Sequence, residues 1–109
     1  MAYVPPKQVE IVEVVAASPD RLAVNGALTF ATARRAHEAG LDVIRANDSR
    51  EPLQIDCAGV TDSDSAGLAV LIDWIANAKT QGRTLTFANL PPGIRAAAQI
   101  SDVESLLTS

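Results

Sequence analysis

Apolar and polar residues alternate in several short segments of the chain, and this alternation predicts strands. Residues 8–16 are rich in valine, isoleucine and glutamate, and residues 21–27 alternate more strictly. The turn-forming run 18–20 between them predicts an antiparallel hairpin. Further strands are expected from Leu53, where apolar residues again alternate with polar ones, and over 84–88. Charges interrupt the first strand, which favours a place at the edge of the sheet.

Apolar residues at helical spacing predict helices between these strands. A first amphipathic helix is expected from Thr29 or Phe30 to about Arg45. Its core-facing positions are predicted to be Phe30, Ala33, Gly40, Leu41 and Ile44. A second helix is expected over 63–80, opened by serine and aspartate caps and closed by Gly82. Its predicted buried stripe is Leu68, Leu71, Ile72 and Ile75.

The end of the chain and the order of elements complete the predicted fold. Pro91 and Pro92 open a short helix reaching Ile100, and 103–107 form a last apolar piece. Strands that alternate with helices predict an α/β protein with a mixed four- to five-stranded sheet, and the third and fourth strands should be parallel. Because the strands alternate, the helices should cover mainly one face. We expect a flexible segment over 1–8 and one domain over 9–109.

Composition narrows the classes of partner. The net charge is −4 and the basic residues are scattered along the 109 residues, which disfavours nucleic-acid binding. No apolar run is long enough for a signal peptide or a bilayer span, so we expect no direct membrane insertion. Cys57 is the single cysteine. We therefore expect a cytoplasmic protein without disulfides.

Candidate catalytic groups are few, and each has a structural interpretation. His37 is the only histidine and lies near the apolar stripe of the first helix, as a structural histidine would. Cys57 faces inward on its strand, as a small apolar side chain does. Asp56, Asp62 and Asp64 could suggest Mg²⁺, but they lack a phosphate-binding loop, so capping of the helix is preferred. We expect neither an enzyme nor a cofactor or metal site.

The run from Val60 to Leu68 leaves a strand and enters a helix, with hydroxyl and carboxyl groups clustered at the turn. Gly67 would let another backbone approach the first helical turn closely. Taken alone, the run could be no more than a strong helix cap. Its Asp64–Leu68 part resembles the Asp-Ser-(Ser/Thr/Ala)-Gly-Leu signature of STAS domains, and the resemblance extends over roughly the whole chain from Val9. It implies the STAS fold and a module that binds a partner protein.

Within that family, the closest resemblance is to the small STAS subunits of Mla phospholipid ABC transporters, which maintain outer-membrane lipid asymmetry in Gram-negative bacteria. It rests on residues 27–30, on 64–71 and on 87–92. The resemblance implies a non-catalytic subunit that binds and regulates or stabilises the transporter ATPase. The protein would then lie at the inner face of the inner membrane through its partner complex.

The alternative is an anti-sigma-factor antagonist. In signalling STAS proteins a partner serine kinase phosphorylates the hydroxyl that corresponds to Ser65. Those proteins commonly carry an acidic residue after the glycine and leucine that end the second strand, whereas this chain has Gly26, Ala27, Leu28 and Thr29. This departure disfavours a phosphorylation switch and favours constitutive assembly. A third alternative is a small enzyme or carrier with a ligand beneath the first helix, which the lack of a base or nucleophile disfavours.

A docking surface can be predicted on the second helix. Val70 and Trp74 lie about 110–150° around the helix from its apolar stripe, outside the expected core face. Tryptophan is enriched among residues that dominate binding energy. We therefore expect a partner-binding surface formed by Asp64, Ser65, Gly67, Val70 and Trp74. The alternative is that Trp74 packs beneath the neighbouring helix.

The purified protein is expected to hydrolyse no nucleotide and to need no metal, because the sequence contains no phosphate-binding loop and no set of metal ligands. Phosphate release from ATP tests the first expectation. Thermal melts with and without a chelator test the second and should coincide. Turnover that persists through further purification would contradict the prediction.

Overall fold

The computed structural model describes residues 11–46, 50–100 and 107 of the chain. Strands and helices alternate through this part, as expected for an α/β protein. The elements are β1 (Val12–Ser18), β2 (Arg21–Leu28), α1 (Ala33–Ala46), β3 (Leu53–Ser63), α2 (Ser65–Thr80), β4 (Leu85–Ala88) and α3 (Pro92–Ile100).

The sheet is mixed, and within the described residues it has four strands in the order β1-β2-β3-β4. β1 and β2 form the predicted antiparallel hairpin, while β2–β3 and β3–β4 are parallel pairs. A parallel pair needs a crossover connection, which α1 and α2 supply. The carboxyl ends of β2 and β3 therefore meet at one edge of the sheet, close to the starts of α1 and α2.

One face of the sheet carries the core. Leu22 and Val24 of β2 and Leu53, Ile55 and Cys57 of β3 are buried, while the residues between them are exposed or half-buried. This period of two confirms that the helices cover mainly one face.

Gly26 lies where the pairing of β2 with β3 shifts register, and its φ is +93°. A side chain there would also collide with the carbonyl oxygen of Ile11. Glycine is required here, because only glycine adopts this backbone conformation without strain.

The amino ends of the parallel strands are tied together by a buried arginine. Arg83 is only 3% exposed; its Nε donates to the carbonyl of Glu51 at 2.7 Å and its Nη2 to that of Pro19 at 2.9 Å. These bonds join the segments before β4 and β3 to the β1–β2 turn. This end of the molecule therefore serves the fold.

α1 begins later than predicted, at Ala33. Phe30 lies outside the helix with 86% of its surface exposed, so its assignment to the core face was wrong. The side chain of Thr32 bonds to the preceding turn, and the helix starts from its carbonyl, which accepts from the N–H of Ala36 at 3.0 Å. The buried stripe of α1 is Ala36, Gly40, Leu41 and Ile44.

α2 is buried over a wider arc than one stripe, because it packs against α1, α3 and β4. Leu68 and Leu71 are buried as predicted, and Ile72 and Ile75 are half-buried. The placement of Val70 and Trp74 outside the core was wrong, since both are buried. The indole N–H of Trp74 donates to the carbonyl of His37 at 3.2 Å, which places the ring under α1.

Gly40 makes room for that ring. A Cβ on Gly40 would collide with the indole of Trp74, so the two helices can pack this closely only with glycine at this position. The tryptophan is therefore the largest side chain of the α1–α2 interface and part of the fold.

Some expectations fall outside the described residues. These are the flexible segment 1–8, the start of the first strand at 8–10 and most of the last piece at 103–107, of which Leu107 alone is described, as buried and helical. Within the described ranges, no helix has the length and apolar character needed to cross a bilayer.

Replacing Trp74 with alanine is expected to lower the free energy of unfolding by about 3–5 kcal/mol, because a buried aromatic side chain would leave a cavity. Phe30→Ala is the matched control, an exposed aromatic whose loss should change stability by about 0.5 kcal/mol or less. Urea titrations of both variants measure the difference. Equal stability of the two variants would contradict the buried position of Trp74.

Candidate functional site

The carboxylate of Asp64 joins two segments at the carboxyl edge of the sheet. Asp64 is the N-cap of α2, with extended backbone. Its Oδ1 accepts from the N–H groups of Ala66 at 2.9 Å and Gly67 at 3.3 Å, and its Oδ2 accepts from the N–H of Phe30 at 3.0 Å. The predicted cap is confirmed, and the same side chain also fixes the loop 29–32 between β2 and α1.

That loop, here called the Phe30 loop, is held from within by Thr32. The buried hydroxyl of Thr32 donates to the carbonyl of Ala27 at 2.7 Å and accepts from the N–H of Thr29 at 3.0 Å. Because the backbone is anchored on both sides of Phe30, the loop presents the phenyl ring to solvent from a fixed position. An exposed aromatic ring on an anchored loop is typical of a protein-binding surface.

Ser65 is the first residue of α2 and is exposed. Its hydroxyl makes no hydrogen bond to other parts of the chain that the structure describes. The hydroxyl is thus accessible at a helix N-terminus, where a negative charge would be favoured by the helix dipole. Ser65 follows Asp64 directly, so it belongs to the same end of the molecule as the Phe30 loop.

The other predicted docking residues lie inside the molecule. Gly67 is buried, and a Cβ there would collide with the carbonyl oxygen of Leu28, which confirms the close backbone approach expected at this glycine. Trp74 is covered by α1. Of the predicted docking residues, only Asp64 and Ser65 therefore lie at the surface. Phe30, which was not among the predicted docking residues, lies at the same end of the molecule. The sequence signal for Phe30 was the threonine at 32, which marks the start of α1 and leaves Phe30 before it.

A shallow groove of about 290 Å³ lies between α1 and α2 next to this end of the molecule. Its apolar lining consists of small side chains, from Ala33, Ala66, Ala69 and Val70. Charged or titratable residues at its rim are Arg34, His37 and Asp73. Val70, placed wrongly on an exposed flank, thus contributes to this groove while being almost fully buried.

The remaining polar candidates have structural roles. Asp56 accepts from Asn89 Nδ2 at 3.0 Å, from the N–H of Ala58 at 2.9 Å and from Arg21 at 2.8 Å. These bonds, led by that of Asn89, lower the pKa of Asp56 to about 2. Across the described ranges, no three histidine, cysteine or acidic side chains gather as metal ligands.

Cys57 and His37 behave as the sequence predicted. Burial raises the pKa of the Cys57 thiol to about 12, so a thiolate is disfavoured near neutral pH. His37 is half-buried at the edge of the core, where its carbonyl bonds to Trp74 and its Nε2 lies 3.4 Å from Asp73 Oδ2. The Cys57 thiol therefore lacks the setting of a reactive nucleophile.

Comparison with known proteins identifies relatives of the whole domain. The family model described as "Mlab, STAS domain" matches residues 13–108. No curated protein matches the chain significantly. Among solved structures, the anti-sigma factor antagonist SpoIIAA in its unphosphorylated form is 11% identical, with a TM-score of 0.69 over 90% of this chain and 86% of that one. The phosphorylated form of SpoIIAA, a Bacillus cell fate determinant, is 11% identical, with a TM-score of 0.65 over 90% and 89%.

Two substitutions of Asp64 should separate its two roles. Asp64→Ala removes the N-cap and is expected to cost about 1 kcal/mol of stability. Asp64→Asn keeps a good capping residue and should be close to wild type in stability, but it replaces one carboxylate oxygen with an amide NH₂ that cannot accept from Phe30. Amide hydrogen exchange at Phe30 should therefore accelerate in both variants. Unchanged exchange in both would contradict the bridging role of Asp64.

Proposed function

Because the chain belongs to the Mlab-type STAS domain family, we propose that it is a non-catalytic subunit that docks on the ATPase of an Mla-type phospholipid-transporting ABC complex. Through this partner it binds and regulates or stabilises the complex at the cytoplasmic face of the inner membrane. It needs no cofactor, binds no nucleic acid and does not insert into the bilayer.

The observation that carries the proposal is that Asp64 ties the backbone of the exposed Phe30 to the first turn of α2, which begins at the exposed Ser65. The phenyl ring is 86% exposed, so a partner that covers it would remove apolar surface from water and stabilise the complex. Because its loop is already anchored, little ordering is required on binding, and this pre-organisation favours affinity. We call Phe30, Asp64 and Ser65 the docking surface.

The chemistry of the site favours binding over catalysis. The carboxylate of Asp64 already accepts hydrogen bonds from three backbone N–H groups. Within the described chain, no general base is hydrogen-bonded to the hydroxyl of Ser65. A serine hydroxyl needs an adjacent general base to act as a nucleophile. The docking surface is therefore suited to contacts with another protein.

A second candidate function, an anti-sigma-factor antagonist bound by a serine kinase, is supported by the accessible hydroxyl of Ser65. Phosphorylation there would add charge that suits the helix dipole but opposes docking through desolvation. The absent acidic residue at 27–29 argues against it. A pull-down of this protein from its native cells should decide between the two functions. Co-purification of a transporter ATPase supports the first function. Co-purification of a serine kinase, with Ser65 phosphorylated, supports the second.

Phe30→Ala is expected to weaken binding to the Mla-type ATPase of the same genome by about 2 kcal/mol or more, a loss of roughly thirtyfold in Kd. Ser65→Asp should also weaken binding, because its carboxylate would be desolvated, while the helix dipole preserves stability. Titration calorimetry with the purified ATPase measures both effects.

Ile100→Ala is the matched control, since Ile100 is 88% exposed at the end of α3, away from the docking surface. It should bind as wild type does. Normal binding by folded Phe30→Ala and Ser65→Asp variants would contradict the proposed docking surface, and absence of any binding to the ATPase by the wild type would contradict the proposed function.

A further inference from the structure

A cleft of about 740 Å³ lies at the amino end of the sheet, opposite the docking surface. It opens between the β1–β2 turn, the last turn of α1 and the start of β3, and Arg83 forms part of its lining. We call it the Arg83 cleft. Sites for small molecules typically have volumes of roughly 300–1,000 Å³. The cleft is therefore large enough for an organic ligand.

The walls of the Arg83 cleft are mainly apolar. They are formed by Ala16 of β1, Val43 and Ala46 of α1, and Leu53 of β3. Ala16 and Ala46 are exposed and Val43 is half-buried, so part of this apolar surface is in contact with water. An aliphatic chain that lies along these walls would remove that surface from water.

Arg83 still has hydrogen-bond donors that the fold does not use. A guanidinium has five N–H groups, of which the Nε–H donates to the carbonyl of Glu51 and one on Nη2 donates to that of Pro19. No group in the described ranges accepts from Nη1. Because the described chain contains no side-chain nitrogen that is both sealed from solvent and unbonded, Nη1 must be open to solvent, and the cleft provides the opening.

The positive charge of Arg83 has no counter-charge within the described chain. The side chain is 3% exposed, its two bonded partners are neutral carbonyls, and no described carboxylate forms an ion pair with it. Asp20 and Glu51 line a neighbouring cleft, which shares only Pro19 with this one. A buried charge is costly unless it is paired. The planar guanidinium matches a carboxylate, which can accept from N–H groups on Nη1 and Nη2 together.

We propose that the Arg83 cleft binds an amphiphilic carboxylate of the fatty-acid type. Its carboxylate accepts from Arg83 and supplies the missing counter-charge, while its aliphatic chain lies along Val43, Ala46 and Leu53. Such a ligand makes the stability of the domain respond to its concentration, because a molecule that binds only the folded state stabilises it. This site lies at the opposite end of the sheet from the docking surface and does not depend on the proposed function.

The test is a titration of the purified full-length protein with octanoate, followed by heteronuclear NMR. The Nε–H of Arg83 is held by the carbonyl of Glu51, so its signal can be followed directly. Octanoate should shift this signal and the backbone amide signal of Ala46 in a saturable manner. Octanol has the chain without the carboxylate, and acetate has the carboxylate without the chain. Each should bind at least about tenfold more weakly, because each lacks one of the two contacts.

Ala16→Phe fills the cleft from an exposed position of β1 and should weaken octanoate binding at least about tenfold. Ala17→Phe is the matched control, because Ala17 is an exposed neighbour that is not part of the lining, and it should bind octanoate as the wild type does. Lack of saturable binding by the wild type, equal affinity for octanol, or unchanged binding by a folded Ala16→Phe variant would overturn the proposal. If Ala16→Phe does not fold, the Arg83 signal and the comparison with octanol in the wild type decide.

Discussion

The carboxylate of Asp64 is the interaction on which the arrangement of this end of the molecule depends. It satisfies two N–H groups at the start of α2 and one in the Phe30 loop. Such groups at a helix start have no partner within the helix, and a negative charge there is also favoured by the dipole. One side chain thus ties the backbone of Phe30 to the first turn of α2, and two separate chain segments form one continuous surface.

The packing of α2 explains why we propose docking at this end of the molecule. Because α2 lies against α1, α3 and β4, its flanks are used by the fold, and Trp74 fills the contact with α1 opposite Gly40. At the other end of the molecule, Arg83 joins the amino ends of the strands through its bonds to two carbonyl groups, so that end is also used by the fold. Besides the open face of the sheet, the carboxyl edge with the Phe30 loop and the shallow groove between α1 and α2 stay accessible.

Local signals in the sequence predicted the elements, the Asp64 cap and the close approach at Gly67, because each depends on residues near it in the chain. Two predicted positions, those of Trp74 and Phe30, were wrong because they depend on contacts between residues that are distant in the sequence. Trp74 was placed on an exposed flank on the assumption of one core face, whereas a helix between two others buries two flanks. Phe30 was placed in the core because its spacing fits α1, whereas the turn made by Thr32 starts the helix three residues later. Both depend on tertiary contacts that periodicity does not contain.

The central claim is that the exposed ring on the Phe30 loop and the start of α2 form the contact with an ATPase partner. A structure of the protein bound to the Mla-type ATPase of the same genome tests this most directly. The account predicts that Phe30 and Ser65 are buried by the ATPase and that the open face of the sheet stays in solvent. A complex in which the ATPase covers the open face of the sheet, with Phe30 still exposed, would contradict it.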